Sequence, residues 1–134
     1  MPPDVAESYR VRDPSYSSGP RVPQQYWVER YGAVAADKAE PSIGITGVDN
    51  MRNQRQAERS AVSSCRRKGG RDCQVVMRYS NTCGAFAWGD GWGFPGNGSS
   101  SQEAASKAME RCVGQTSNCT VDYQGCSLPV LRSR

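Results

Sequence analysis

Cys83-Gly84-Ala85-Phe86-Ala87 repeats the pattern of Tyr31-Gly32-Ala33-Val34-Ala35: a variable residue, Gly, Ala, an apolar residue, Ala. Both runs read as short strands. Working outward, Ser42-Ile43-Gly44-Ile45-Thr46-Gly47 follows the first run and Gly91-Trp92-Gly93-Phe94 follows the second. Their period-two alternation with Gly predicts strands approached closely by another backbone. A helix comes next in each half. Asn53 with Gln56, and Ser100 with Glu103, fit an N-cap answered three residues later by Gln or Glu. Behind the caps, Ala57, Ala61 and Cys65 correspond to Ala104, Ala108 and Cys112, one narrow stripe at four-residue spacing. A stripe of Ala and Cys lets a helix lie very close to a sheet, and Val62 and Met109 widen it at matching places. Each helix ends in a turn, residues 66–72 and 113–118, and a last strand then opens with Cys73 or Cys119. The expected fold is α+β. It has two pseudo-symmetric strand-strand-helix-strand repeats, with an antiparallel sheet carrying two helices on one face.

The repeat also predicts a cystine pattern. Six cysteines allow fifteen pairings. In each half a Cys ends the helix and another opens the next strand, so local closure gives Cys65–Cys73 and Cys112–Cys119. Cys83 and Cys126 remain and would tie the first strand of the second repeat to its last. No CxxC occurs, which argues against a zinc knuckle or a thioredoxin-like pair.

Composition explains why staples are needed. Leu, Ile, Val and Phe make only 18 of 134 residues, below the roughly one-fifth under which a highly charged chain stays unfolded. The net charge is only +4, so composition leaves order open and the cysteines tilt it towards a fold. Cystines in a small chain point to an oxidising compartment, periplasmic or extracellular. Met1-Pro2-Pro3 has no apolar segment behind it, so the chain reads as the mature form of an exported protein. No run approaches the ~18 apolar residues of a membrane span.

Three regions follow. Residues 1–29 hold five of the eight prolines, with Ser and Tyr between them, and read as an extended or disordered arm. Tyr26-Trp27-Val28 could add an edge strand. Residues 30–126 form the stapled domain. Residues 127–134 carry the only two leucines, Leu128 and Leu131, and read as a loose tail.

Several stretches carry a family resemblance. They are Tyr31-Gly32-Ala33-Val34-Ala35, the helix from Ala57-Glu58 to Cys65, Cys73-Gln74-Val75-Val76 and Asn81-Thr82-Cys83-Gly84-Ala85-Phe86-Ala87. The helix from Glu103 to Cys112 and Asn118-Cys119-Thr120-Val121 complete the set. In this order, from Trp27 to Cys126, the chain resembles domain of unknown function 4189. The resemblance implies a small exported bacterial protein. Some such proteins lie beside secreted toxins and are taken for immunity proteins; mycobacterial relatives are secreted. It implies no catalytic residues.

The absence of histidine excludes Ser-His-Asp and Cys-His catalysis and His-ligated metals. The domain's acids are scattered: Asp37, Asp49, Glu58, Asp72, Asp90, Glu103, Glu110 and Asp122. Glu103 reads as a cap, Glu58 as a surface partner of Arg55 or Arg59, and Asp90 as a turn residue. No cofactor, metal site or enzyme is expected.

Two features point to a protein partner instead. Residues 89–98 place five glycines around Trp92 and Phe94, with Trp88 just before. Trp88, Asp90, Trp92 and Phe94 are candidates for a hairpin that enters a partner's cleft. The charge is also uneven: residues 52–78 are net +6 and residues 79–126 net −2. Arg66 and Arg67, in the basic turn, are candidates for steering an acidic partner. Nucleic acid is not expected, since no recognition motif is present. The expected function is a periplasmic immunity or inhibitor protein that blocks a secreted toxin. The alternative is a secreted effector or surface protein acting on a host or competitor.

Overall fold

A computed structural model describes residues 24–91 and 93–133. The chain order is β1 (Gln25–Val28), β2 (Tyr31–Asp37), a 3-10 turn (Pro41–Ile43), β3 (Ile45–Met51), α1 (Gln54–Arg67) and β4 (Cys73–Ser80). It continues with β5 (Cys83–Trp88), β6 (Gly93–Gly98), α2 (Ser101–Gln115), β7 (Thr120–Cys126) and β8 (Val130–Ser133). The α+β class, the antiparallel strands, the two helices and all three cystines are as the sequence predicts.

The layering corrects the expected single sheet with both helices on one face. There are two three-stranded antiparallel sheets, ordered β3-β2-β4 and β6-β5-β7. Side-chain alternation along the two central strands decides the packing. Ala33 and Ala35 of β2 face Ala57, Ala61 and Cys65 of α1. Ala85 and Ala87 of β5, with Cys83, face Ala104, Ala108 and Cys112 of α2. The intervening Val34 and Phe86 point the other way and meet, with Met77 and Tyr79, between the sheets. The layers therefore run α1, sheet, sheet, α2. Each sheet has its apolar faces covered on both sides, which a single sheet with two helices on one face would not achieve.

Small residues set the helix spacing. The alanine stripes are fully buried, and a Cβ at Gly96 would overlap the α2 backbone at Ala104 and Ala108. This is the close backbone approach that the Gly-bearing second strand predicts. β6 begins at Gly93, not Gly91, and runs through Pro95. A proline is tolerated there because β6 is an edge strand, and Arg111 covers the Pro95 carbonyl at 2.8 Å.

Both caps form as read: Gln56 N–H donates to Asn53 Oδ1 at 2.8 Å and Glu103 N–H to Ser100 Oγ at 3.1 Å. The Glu103 carboxylate reaches one residue further back than a standard capping box, accepting from the Ser99 amide and hydroxyl. Those bonds, the amide first, hold its carboxyl below the usual range.

The chain ends differ from the expected loose tail. β8 pairs antiparallel with β1, Trp27 opposite Leu131 and Val28 opposite Val130, as a separate two-stranded ribbon. Of the expected extended arm, residues 1–23 lie outside the described residues.

Candidate interaction surfaces

The β5–β6 hairpin places its residues in different environments. Trp88, the last residue of β5, is half-buried. Its ring lies 6.0 Å from that of Phe86, against the core between the sheets. Phe94 is half-buried against the α2 core. The two aromatics thus pack on opposite faces of the second sheet, and both are committed to the fold. Trp92 lies outside the described residues.

Asp90 is exposed but engaged. Its carboxylate accepts from Ser117 Oγ at 2.9 Å and from Asn118 Nδ2 at 3.1 and 3.2 Å. Its amide donates to the Ser117 carbonyl at 3.0 Å. Asp90 therefore clasps the β5–β6 turn to the turn after α2, which Cys112–Cys119 also closes. Asn118 sits there at φ 58°, the left-handed region that Asn tolerates better than most residues.

The first unit has a counterpart. Asp37, at the end of β2, is 2% exposed. Its carboxylate accepts four backbone amides: Ala39 and Glu40 on one oxygen, Arg71 and Asp72 on the other, at 2.8–3.3 Å. Burial pushes this carboxyl up, and the four amides outweigh burial, leaving it below its ordinary value. The turn it holds contains the Cys65–Cys73 bridge. Sequence reading found the turn role of Asp90 and passed over the same role in Asp37.

The basic end is a surface. Arg52, Arg55, Arg59, Arg66, Arg67, Lys68 and Arg71 are all exposed. Arg67 folds back on its own helix, donating to Ser63 Oγ at 3.0 Å and Ser64 Oγ at 2.8 Å. The helix's one acid is removed from the balance: Glu58 pairs with Arg78 of β4 at 2.9 Å, not with the expected Arg55 or Arg59. Among the described residues no acid forms an ion pair with Arg66 or its neighbours on α1. Arg66, Arg67 and Arg59 line an open depression beside α1 whose apolar wall includes Val48 and Val62. Arginine forks and serine hydroxyls in such a setting suit carboxylates and other oxyanions.

A third surface joins Trp27, from the segment read as a candidate edge strand, to the leucines of the tail read as loose. Trp27 is 65% exposed, and Leu128 and Leu131 are 46% and 45% exposed. The signal was there: in a chain so poor in aliphatics, both leucines lie beyond the last cysteine.

Among the described residues no group of acidic or sulfur side chains is placed to hold a metal ion, and no helix is long and apolar enough to cross a membrane.

Comparison with known proteins extends these observations. The NMR structure of Rv1813c from Mycobacterium tuberculosis is similar over 73% of this chain and 75% of that one, at 22% identity and a TM-score of 0.53. That likeness is one of fold. No functionally curated protein matches the chain. A family model described as a domain of unknown function, DUF4189, matches residues 31–126, from the first residue of β2 to the last of β7. The protein belongs to the DUF4189 family.

Proposed function

We propose that the protein is an exported binding protein without enzymatic activity, and within that class a periplasmic immunity protein that blocks a secreted antibacterial toxin. The observation that carries this reading is the outer face of α1, a row of exposed arginines whose one acidic neighbour is taken by Arg78. Such a face favours rapid capture of an acidic protein surface. Three cystines and a core of alanines suit a small rigid module in an oxidising compartment.

The test starts from the secreted proteins of the producing strain. A partner retained on the purified protein is identified by mass spectrometry, then produced in the periplasm of a test bacterium with and without this protein. Growth arrest relieved by the protein is expected, with association slowed by Arg66→Glu plus Arg67→Glu and less dependent on salt. A partner whose toxicity is unaffected overturns the immunity reading. Release of the protein into the medium during fractionation would favour an effector acting outside the cell.

A further inference from the structure

The outer face of α1 carries a row of side chains that the fold does not require. At about 3.6 residues per turn, Arg55, Arg59, Val62 and Arg66 fall within about 60° of one another, turned away from the alanine stripe. The three arginines are exposed and Val62 is half-buried. Matching the two alanine-cysteine stripes sets these positions against Gln102, Ser106, Met109 and Val113 of α2, which bring no cation. The two helices thus share a buried stripe and differ outside it. Local electrostatics also oppose the row. Arg55 sits in the first turn of α1, where the helix dipole disfavours a cation and no acid is present. In α2 the first turn holds Glu103. Arg55 and Arg59, four residues apart, repel each other. A row that neither packing nor helix electrostatics explains points to a ligand.

The row borders the open depression beside α1. Arg59, Arg66 and Arg67 line that depression, and Val62 of α1 and Val75 of β4 supply apolar wall. Its one acid is Glu58, which Arg78 holds at 2.9 Å. The acids nearest in sequence to the two ends of α1 do not line it. Asp49 lies against Gly125 of β7, and Asp72 accepts from Gln74 Nε2 at 3.1 Å.

Spacing selects the ligand. At about 1.5 Å per residue, Arg55 and Arg59 are about 6 Å apart along the axis, and Arg59 and Arg66 about 10.5 Å. An extended strand meets the first interval in two residues but the second in three, which turns the last side chain to its opposite face. A second helix repeats both intervals on one face. Packed antiparallel, it would present carboxylates at i, i+7 and i+11, with an apolar residue at i+4 over Val62. Guanidinium forks suit those carboxylates, and the apolar wall suits a residue that a bare phosphate polymer lacks.

We infer that the outer face of α1 binds an acidic amphipathic helix of the protein partner, with Arg55, Arg59 and Arg66 on its carboxylates and Val62 beneath its apolar residue. The inference rests on the binding-protein reading above and adds the chemistry of the surface that is bound.

Amide NMR of the full chain, titrated with synthetic peptides, tests this at about 0.1 M salt, where only near charges interact strongly. One alanine-rich helical peptide carries Glu at i, i+7 and i+11 and Leu at i+4. A second has the same composition with those residues spread round the helix. The first should bind roughly tenfold tighter, with shifts confined to α1 and the part of β4 around Val75. Arg59→Gln with Arg66→Gln should weaken it roughly tenfold or more. Lys38→Gln with Arg71→Gln removes the same charge from exposed positions off the row and should change affinity less than about threefold. Melting temperatures should not fall in either double variant. No binding of the first peptide at millimolar concentration overturns the inference. So do equal binding of the two peptides, shifts away from α1, or affinity unchanged by Arg59→Gln with Arg66→Gln. Tighter binding of polyphosphate than of the first peptide overturns it in favour of a phosphate polymer. Growth rescue by the protein carrying Arg59→Gln and Arg66→Gln would keep the immunity reading and overturn this contact. Peptide binding without rescue would keep the contact and overturn the immunity reading.

Discussion

The phenol oxygens of Tyr79 and Tyr123 lie 2.6 Å apart, joining β4 of one sheet to β7 of the other. Tyr123 donates to the Val48 carbonyl at 3.2 Å, so the short bond is donated by Tyr79. The two rings occupy space left by glycines: a Cβ at Gly32 or Gly84 would meet Tyr79, and one at Gly47 or Gly125 would meet Tyr123. The glycines that open β2 and β5 thus make room for a hydrogen-bonded pair between the sheets.

Tyr123→Phe should cost about 1–3 kcal/mol, because it removes the donor to the Val48 carbonyl and leaves the Tyr79 hydroxyl with Ser127 as its remaining side-chain partner. Tyr79→Phe should cost less, since Tyr123 keeps its bond to Val48. The double variant should fall short of the sum. Urea titration measures all three. Strict additivity would mean that the two phenols do not act as a pair. Gly47→Ala should also destabilise, by about 1–3 kcal/mol, through overpacking against the Tyr123 ring.

Alkaline pH should unfold the domain through the same pair. Burial, the largest cause for each, raises both phenols above their ordinary value. A group raised in the folded state stabilises it fully below the unfolded value near 10 and loses that stabilisation as pH climbs through the folded value. Phenolate absorbance should therefore show two tyrosines that ionise only when the fold is lost. Tyr79→Phe with Tyr123→Phe should remove that step.

The cystines should contribute unequally. Cys65–Cys73 and Cys112–Cys119 close loops with separations of 8 and 7 residues, and Cys83–Cys126 one of 43. Loop entropy assigns about 2.5 kcal/mol to each short bridge and about 4 to the long one. Serine replacement of each pair, followed by denaturant melts, should give that order. Full reduction should unfold a domain whose largest fully buried aliphatic is Val34.

Asp37 and Asp90 should separate by burial. Asp37→Ala takes the side-chain acceptor from four amides, of which only Glu40 keeps a bond, to the residue 37 carbonyl, and should lower the melting temperature by roughly 5–10 °C. Asp90→Ala, in an exposed turn, should lower it by less. The depressed Asp37 carboxyl stabilises the fold above the unfolded value near 4, and this contribution is lost as pH falls through the lower folded value. Acid titration of the wild type should therefore show a step that Asp37→Ala lacks.

Elements, caps and cystines were legible because each rests on local pattern: the alanine-cysteine stripes, Asn53 and Ser100, and paired cysteines at helix ends. What escaped was long-range. Nothing local tells Val34 and Phe86 to meet each other, so two sheets back to back looked like one. Phe94 resembled an interface anchor because its cover, α2, comes later in the chain. The ribbon pairs Trp27 with Leu131 across almost the whole sequence, and neither strand alone exceeds four residues. Of the candidate surfaces, the arginine face was visible in sequence because charge in an exposed helix needs no partner to be noticed.

The position of the Cys83–Cys126 bridge has a mechanical consequence. Pulled by its ends, the chain first unzips the ribbon from Gln25 and Ser133 inward, one hydrogen-bonded pair at a time. Tension arriving at Cys126 then crosses the sulfurs to Cys83 and never enters β5, β6, α2 or β7, which lie inside the covalent loop. The force path runs back through β4, α1, β3 and β2, where only the short Cys65–Cys73 loop is bypassed. The first unit must therefore yield and extend, while the second, closed by the bridge, cannot lengthen and remains an inextensible knot in the thread.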